Sequence, residues 1–139
     1  MSRISLFTAP WPKSFDFKRK VLRHVLIDRK SKYTASGGKI TSKEAWKQWM
    51  RELLQDNQFS KATHNSYAWR IQNEDGSVEE WRNDDGEKWA WKCILRELQR
   101  EQIINGIVVV TRYYGGVKLH GDRFRNVIEV SREFLEKVF

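Results

Sequence analysis

The 139-residue chain has little of what staples, kinks or disorders a protein: one cysteine, two prolines and eight glycines. A lone cysteine, Cys93, makes neither an internal disulfide nor a structural zinc site. Its place in a helical pattern reads as an inert buried thiol, and the chain as one from a reducing compartment, cytosolic or nuclear. Scarce proline and glycine, with 40% hydrophobic and 32% charged residues, exclude a low-complexity or disordered chain. Long apolar runs are absent too. The longest clear one, Ile107 to Val110, has strand length, against the ~20 residues that cross a bilayer, so no membrane contact is expected. Met1 to Phe7 lack the apolar core of a secretion signal. No Walker loop, nucleophile elbow or pair of histidines at metal-ligand spacing occurs. Little therefore points to an enzyme, and nothing calls for a cofactor.

What is present is charge, unevenly placed. The net charge is +8, and all of it lies in residues 1–39. Arg3, Lys13, Lys18, Arg19, Lys20, Arg23, Arg29, Lys30, Lys32 and Lys39 there face only Asp16 and Asp28. The remainder carries as many acidic as basic residues. A basic end on a neutral domain attracts polyanions such as RNA, or an acidic protein face. It serves equally as a solubilising arm. Lys18, Arg19, Lys20, Arg23, Arg29, Lys30 and Lys32 are the nucleic-acid-binding candidates.

Seven tryptophans are also present. Trp46, Trp49 and Trp69 fit a core by spacing. Trp81, Trp89 and Trp91 gather around an acidic turn and are harder to bury together. They read as packing residues, as base-stacking residues or, if contiguous, as a patch for a protein partner.

Periodicity divides the chain into an irregular arm, 1–20, and one domain, 21–139. Val21 to Asp28 reads as a strand. Ser31 to Ile40 reads as a second, with a bulge at Gly37-Gly38. Thr41 and Glu44 have the form of a capping box. Trp46, Trp49, Met50, Leu53 and Leu54 then follow at helical spacing. His64 to Gln72 and Val78 to Arg82 read as strands joined by the turn Asn73 to Ser77. The polar turn Asn83 to Glu87 leads into a helix over Lys88 to Gln102. Ile107 to Tyr113, apolar on both faces, reads as an interior strand. Asp122 is placed to cap a last helix. The result is an α+β domain, with helices covering one face of a mixed, mostly antiparallel sheet.

Three polar clusters are candidates for chemistry or recognition. Thr63-His64-Asn65 opens a strand, and its histidine reads as a base, a ligand or a hydrogen-bonded structural residue. Asp84-Asp85-Gly86-Glu87 fits either Mg²⁺ binding or a turn and helix start. Arg112 to Lys118 places Gly115-Gly116 after a buried strand, where backbone amides approach an anion. Acting together, the last two would serve a Mg-dependent, phosphate- or nucleotide-directed enzyme. Acting as a surface, they would dock a partner.

These segments also carry a resemblance. Thr63-His64-Asn65-Ser66-Tyr67-Ala68-Trp69-Arg70-Ile71, then Asp84-Asp85-Gly86-Glu87, then Val108 to Leu119 with its Thr-Arg-Tyr-Tyr-Gly-Gly-Val-Lys core, resemble the IMPACT/YigZ family over about residues 29–135. Gly121-Asp122-Arg123-Phe124-Arg125 is similar to the eukaryotic branch. The resemblance implies a two-layer fold like ribosomal protein S5 domain 2. It implies a non-catalytic role in translational control and stress response. There the family competes with the amino-acid-starvation kinase for its ribosome-bound activator. Actin binding and, through the bacterial branch, nucleic-acid binding are also implied. The expected binding residues are His64, Asn65, Asp84, Asp85, Glu87, Arg112, Gly115, Gly116, Lys118 and Arg123. Two departures stand out. Residues 1–28 are too short for the RWD domain of eukaryotic relatives, and Lys88-Trp89-Ala90-Trp91 replaces the family's small residues.

Overall fold

The computed structural model describes residues 19–139. The expected arm therefore lies outside the described residues except for its last two, and Lys20 already opens a strand. In chain order the elements are β1 (Lys20–Asp28), β2 (Ser31–Lys39), α1 (Lys43–Gln55), α2 (Asn57–Ser60) and β3 (His64–Gln72). They continue with β4 (Val78–Asn83), α3 (Ala90–Arg100), β5 (Gly106–Tyr113) and α4 (Asp122–Lys137). The strands form one five-stranded sheet in the order β1-β2-β5-β3-β4. Every neighbouring pair is antiparallel.

β5 occupies the centre because both of its faces are apolar. Val108 and Val110 pack with Tyr33, Ala35 and Ala68 beneath Ile94 and Leu98 of α3 and Val127, Val130 and Phe134 of α4. Ile107 and Val109 turn to the other side, against Tyr67, Trp69 and Ile71 and the α1 stripe Ala45, Trp49 and Leu53. The α+β class is as expected; the sheet, expected mixed and mostly antiparallel, is antiparallel in every pair, and the layering differs from that expected. α1 covers the face opposite α3 and α4, because a sheet apolar on both sides needs a cover on both.

Local chemistry shifts several boundaries. The N-cap of α1 is Ser42, whose Oγ accepts from Ala45 N at 3.0 Å, not Thr41. Leu54, expected in the buried stripe, is 44% exposed. The bulge falls in β1, between Leu22 and Leu26, while Gly37 and Gly38 pair regularly with Val108 and Ile107. His24 takes up the extra length with a positive φ, and its N–H donates to Thr34 Oγ1. α3 starts two residues later than its periodicity predicts, because Trp89 adopts the left-handed conformation. Asp122 caps nothing: Arg29 and Arg125 engage its carboxylate, and the cap position of α4 is Gly121.

Candidate functional site

The site forms where β3 begins, β5 ends and the β4–α3 turn crosses between them. Antiparallel pairing sets His64 opposite Arg112. The turn is then fastened to β3 by three bonds. Asp85 O lies 2.8 Å from His64 Nδ1, Asp85 Oδ2 accepts from Asn65 N at 2.7 Å, and Asp84 O accepts from Ser66 Oγ at 2.7 Å. The Asp84 carboxylate faces the other way and caps α3, accepting from Trp89 N at 3.2 Å and Trp91 N at 3.1 Å. Anionic oxygens at a helix N-terminus satisfy amides that lack intrahelical partners.

Below the turn lies a buried ion pair. Arg112 Nη1 donates to both Glu87 oxygens, at 2.9 and 3.0 Å, and both side chains are more than nine-tenths buried. The guanidinium also lies 5.9 Å from the Tyr33 ring and 5.7 Å from the Tyr114 ring. Ser31 Oγ accepts from Arg112 Nη2 at 3.4 Å and from Gly115 N at 3.3 Å, joining the pair to the next loop. Thr63 Oγ1 accepts from Tyr114 N at 2.9 Å. Gly115 passes so close to the β1–β2 turn that a Cβ there would overlap the Lys30 carbonyl, and Gly116 has φ +95°. Glycine at both positions brings the loop back over the frame.

Nine of the ten expected binding residues bear directly on this region or its loop: His64, Asn65, Asp84, Asp85, Glu87, Arg112, Gly115, Gly116 and Lys118. Lys118 stands exposed at the end of the loop, with Tyr114 and Val117 also in solvent. Arg123 stands apart at the start of α4, its guanidinium 5.0 Å from the Phe124 ring. Sequence reasoning missed Ser31 and Tyr33, and it placed Thr63 and Tyr114 in the candidate clusters without giving either a role. A serine and a strand tyrosine carry no pattern of their own; only the register sets them around Arg112.

The carboxylates here serve the fold. Both Asp84 oxygens and one Asp85 oxygen accept backbone amides, and Glu87 is paired. Among the described residues no group of three or more His, Cys, Asp or Glu is arranged to hold a metal. Burial pushes the Cys93 thiol up, which keeps it protonated.

The basic residues do not share one face. Lys18 lies outside the described residues. Arg19 lies over Phe59, whereas Lys20 Nζ donates to Val138 O at the end of α4. Arg29 is paired with Asp28 and Asp122. Arg23, Lys30 and Lys32 are exposed. The late tryptophans are divided as well. Trp81 stacks 5.8 Å from Trp46 on the α1 side, whereas Trp91 packs against the opposite core, so Trp81, Trp89 and Trp91 form no single patch.

Comparison with known proteins covers nearly the whole domain, this site included. The model of the Impact N-terminal domain matches residues 29–135. The chain belongs to the Impact N-terminal domain family. The Protein IMPACT homolog of Schizosaccharomyces pombe is 33% identical over 124 residues, covering 89% of this chain and 43% of that protein. The homolog of Caenorhabditis elegans is 37% identical over 119 residues, covering 82% and 46%. The chain thus spans under half the length of these curated relatives. Among solved structures, a hypothetical protein superposes with a TM-score of 0.74 at 25% identity, covering 84% of this chain and 57% of that one. The two-domain translational regulator Yih1 superposes with a TM-score of 0.54 at 32% identity, covering 84% and 46%. No helix among the described residues is long and apolar enough to cross a membrane.

Proposed function

We propose that this chain is a non-catalytic docking module of translational control in the cytoplasm. It acts by occupying a ribosome-associated activator protein in competition with the starvation kinase. One observation carries the reading: 84% of the chain shares its fold and 32% identity with the translational regulator Yih1. The geometry supports it. The acidic turn, His64 and Arg112 are engaged in holding a frame, and the frame presents Tyr114, Val117 and Lys118 to solvent. A rigid base under an exposed loop favours recognition, because little order is lost on binding. The exposed cations Arg23, Lys30 and Lys32, with the basic residues before them, add long-range attraction to the polyanionic ribosome.

Sedimentation with ribosomes tests the reading. The wild-type chain is expected in the ribosomal fraction at about 50 mM salt and largely released at about 200 mM. Lys118→Glu and Tyr114→Ala are expected to lower the bound fraction with melting temperature unchanged. Equal sedimentation of these variants and the wild type would show that the loop has no part in docking.

A further inference from the structure

We propose that the start of α3 and the adjoining end of β4 form a binding site for single-stranded nucleic acid, built on Trp89 and Trp91 with Arg82, Lys88, Lys92 and Arg96. Trp89 sits at φ 70°, in the left-handed region, where a bulky side chain is uncommon. Asp84 holds it there through the amide bonds to residues 89 and 91. Trp89 is left 48% exposed, while Trp91 beside it packs partly against the core. Glycine would adopt this backbone without steric conflict. A strained position that keeps a large aromatic in solvent is therefore an outlier that points to a ligand.

The cations surround the two rings. Lys88 Nζ and Lys92 Nζ lie 6.0 and 5.8 Å from the Trp89 ring centre, and the Arg82 guanidinium lies 4.8 Å from that of Trp91. Arg96, also exposed, follows Lys92 by one helical turn. The adjoining turn holds three carboxylates. Glu87 is paired with Arg112. Asp84 and Asp85, though bonded to backbone amides, stay charged, so the cations Arg82, Lys88, Lys92 and Arg96 outnumber them and leave this surface net positive. Aromatic faces among cations match unpaired nucleotides, whose bases stack and whose phosphates need neutralising. A duplex offers the same phosphates but hides its base faces. An acidic peptide would use the cations and leave the indole without a task. The site shares no residue with the Tyr114–Lys118 loop, and the inference does not rest on the translational reading.

Fluorescence anisotropy of the full chain with a labelled oligouridylate of about twelve nucleotides tests it, with oligothymidylate, a duplex and an acidic peptide as competitors. Trp89→Gly keeps the backbone conformation and removes the ring. It is expected to weaken binding about tenfold, equivalent to about 1.4 kcal/mol, with melting temperature unchanged or raised. Lys88→Gln with Lys92→Gln is expected to reduce the salt dependence by about two phosphate contacts. Trp81→Ala, which removes an exposed indole on the other face, is expected to change nothing. Competition by the thymidylate would extend the site to DNA, and its failure would restrict it to RNA; both agree with the inference. Wild-type affinity in Trp89→Gly would overturn it, as would equal loss in Trp81→Ala. Competition by duplex or acidic peptide as effective as that of the single strand would also overturn it, by reducing the contact to charge alone.

Discussion

Arg112 and Glu87 show why residues that look catalytic in a sequence can be architectural in a fold. Each is charged and nearly sealed from water, a state tolerated only when the charges meet in good geometry. Glu87→Ala leaves the guanidinium unpaired and is expected to cost about 3–5 kcal/mol in urea denaturation. Glu87→Leu combined with Arg112→Met removes both charges and is expected to restore most of that stability. A double variant as unstable as the single one would show that the ion pair is not the source of the loss. Asp28 gives a second test. The hydrogen bond from Arg29, then that from Asn126, holds its carboxyl at about 2 against an ordinary 3.8. A depressed folded pKa means that the stabilising form is fully present above the ordinary value and is lost as pH falls through the folded one. Wild-type melting temperature is therefore expected to drop between about pH 4 and pH 2 more steeply than that of Asp28→Asn. Parallel curves would contradict the assignment.

Elements were legible in the sequence wherever burial follows a period. The alternating β3, the doubly apolar β5 and the Trp49–Leu53 stripe all appear in the structure where the pattern sets them. Features governed by tertiary partners were not legible. Asp122 looks like a cap, and two arginines claim it instead. The glycines at 37 and 38 look like a bulge, but the irregularity falls at His24, where Thr34 offers an acceptor. At the candidate site the acidic turn and the glycine loop were visible, while Ser31 and Tyr33 beside Arg112 depend on register alone. The β1–β2 turn offers a test at this scale. Arg29 and Lys30 both have positive φ, 45° and 72°, the backbone of a hairpin turn that favours asparagine and glycine. Lys30→Gly is expected to stabilise the fold by about 1 kcal/mol, a rise of a few degrees in melting temperature. No rise would mean that the Lys30 side chain offsets the strain. Ser42→Ala, which removes the α1 cap, is expected to destabilise by about 1 kcal/mol.

Over the described residues the molecule is a sheet closed on both faces, with its acidic turn clamped to two strands and with Tyr114, Val117, Lys118 and Trp89 exposed. The segments on which the family resemblance rests, His64 through Ser66, Asp84 through Glu87 and Arg112 through Lys118, are tied together by hydrogen bonds and a buried ion pair, so they form one platform. The segment Lys88–Trp91 lies beside that platform and supplies a different surface. Docking and nucleic-acid contact are thus separable by mutation: Trp89→Gly is expected to leave ribosome sedimentation through the loop intact. The most direct measurement is competition. The chain is titrated into a preformed complex of the ribosome-associated activator and the starvation kinase, and the kinase retained on the activator is read by pull-down. Retained kinase is expected to fall as the chain is added, with Lys118→Glu requiring about tenfold more protein for the same effect, a loss of about 1.4 kcal/mol. Retention unchanged at saturating chain would contradict competitive docking as the way this protein acts.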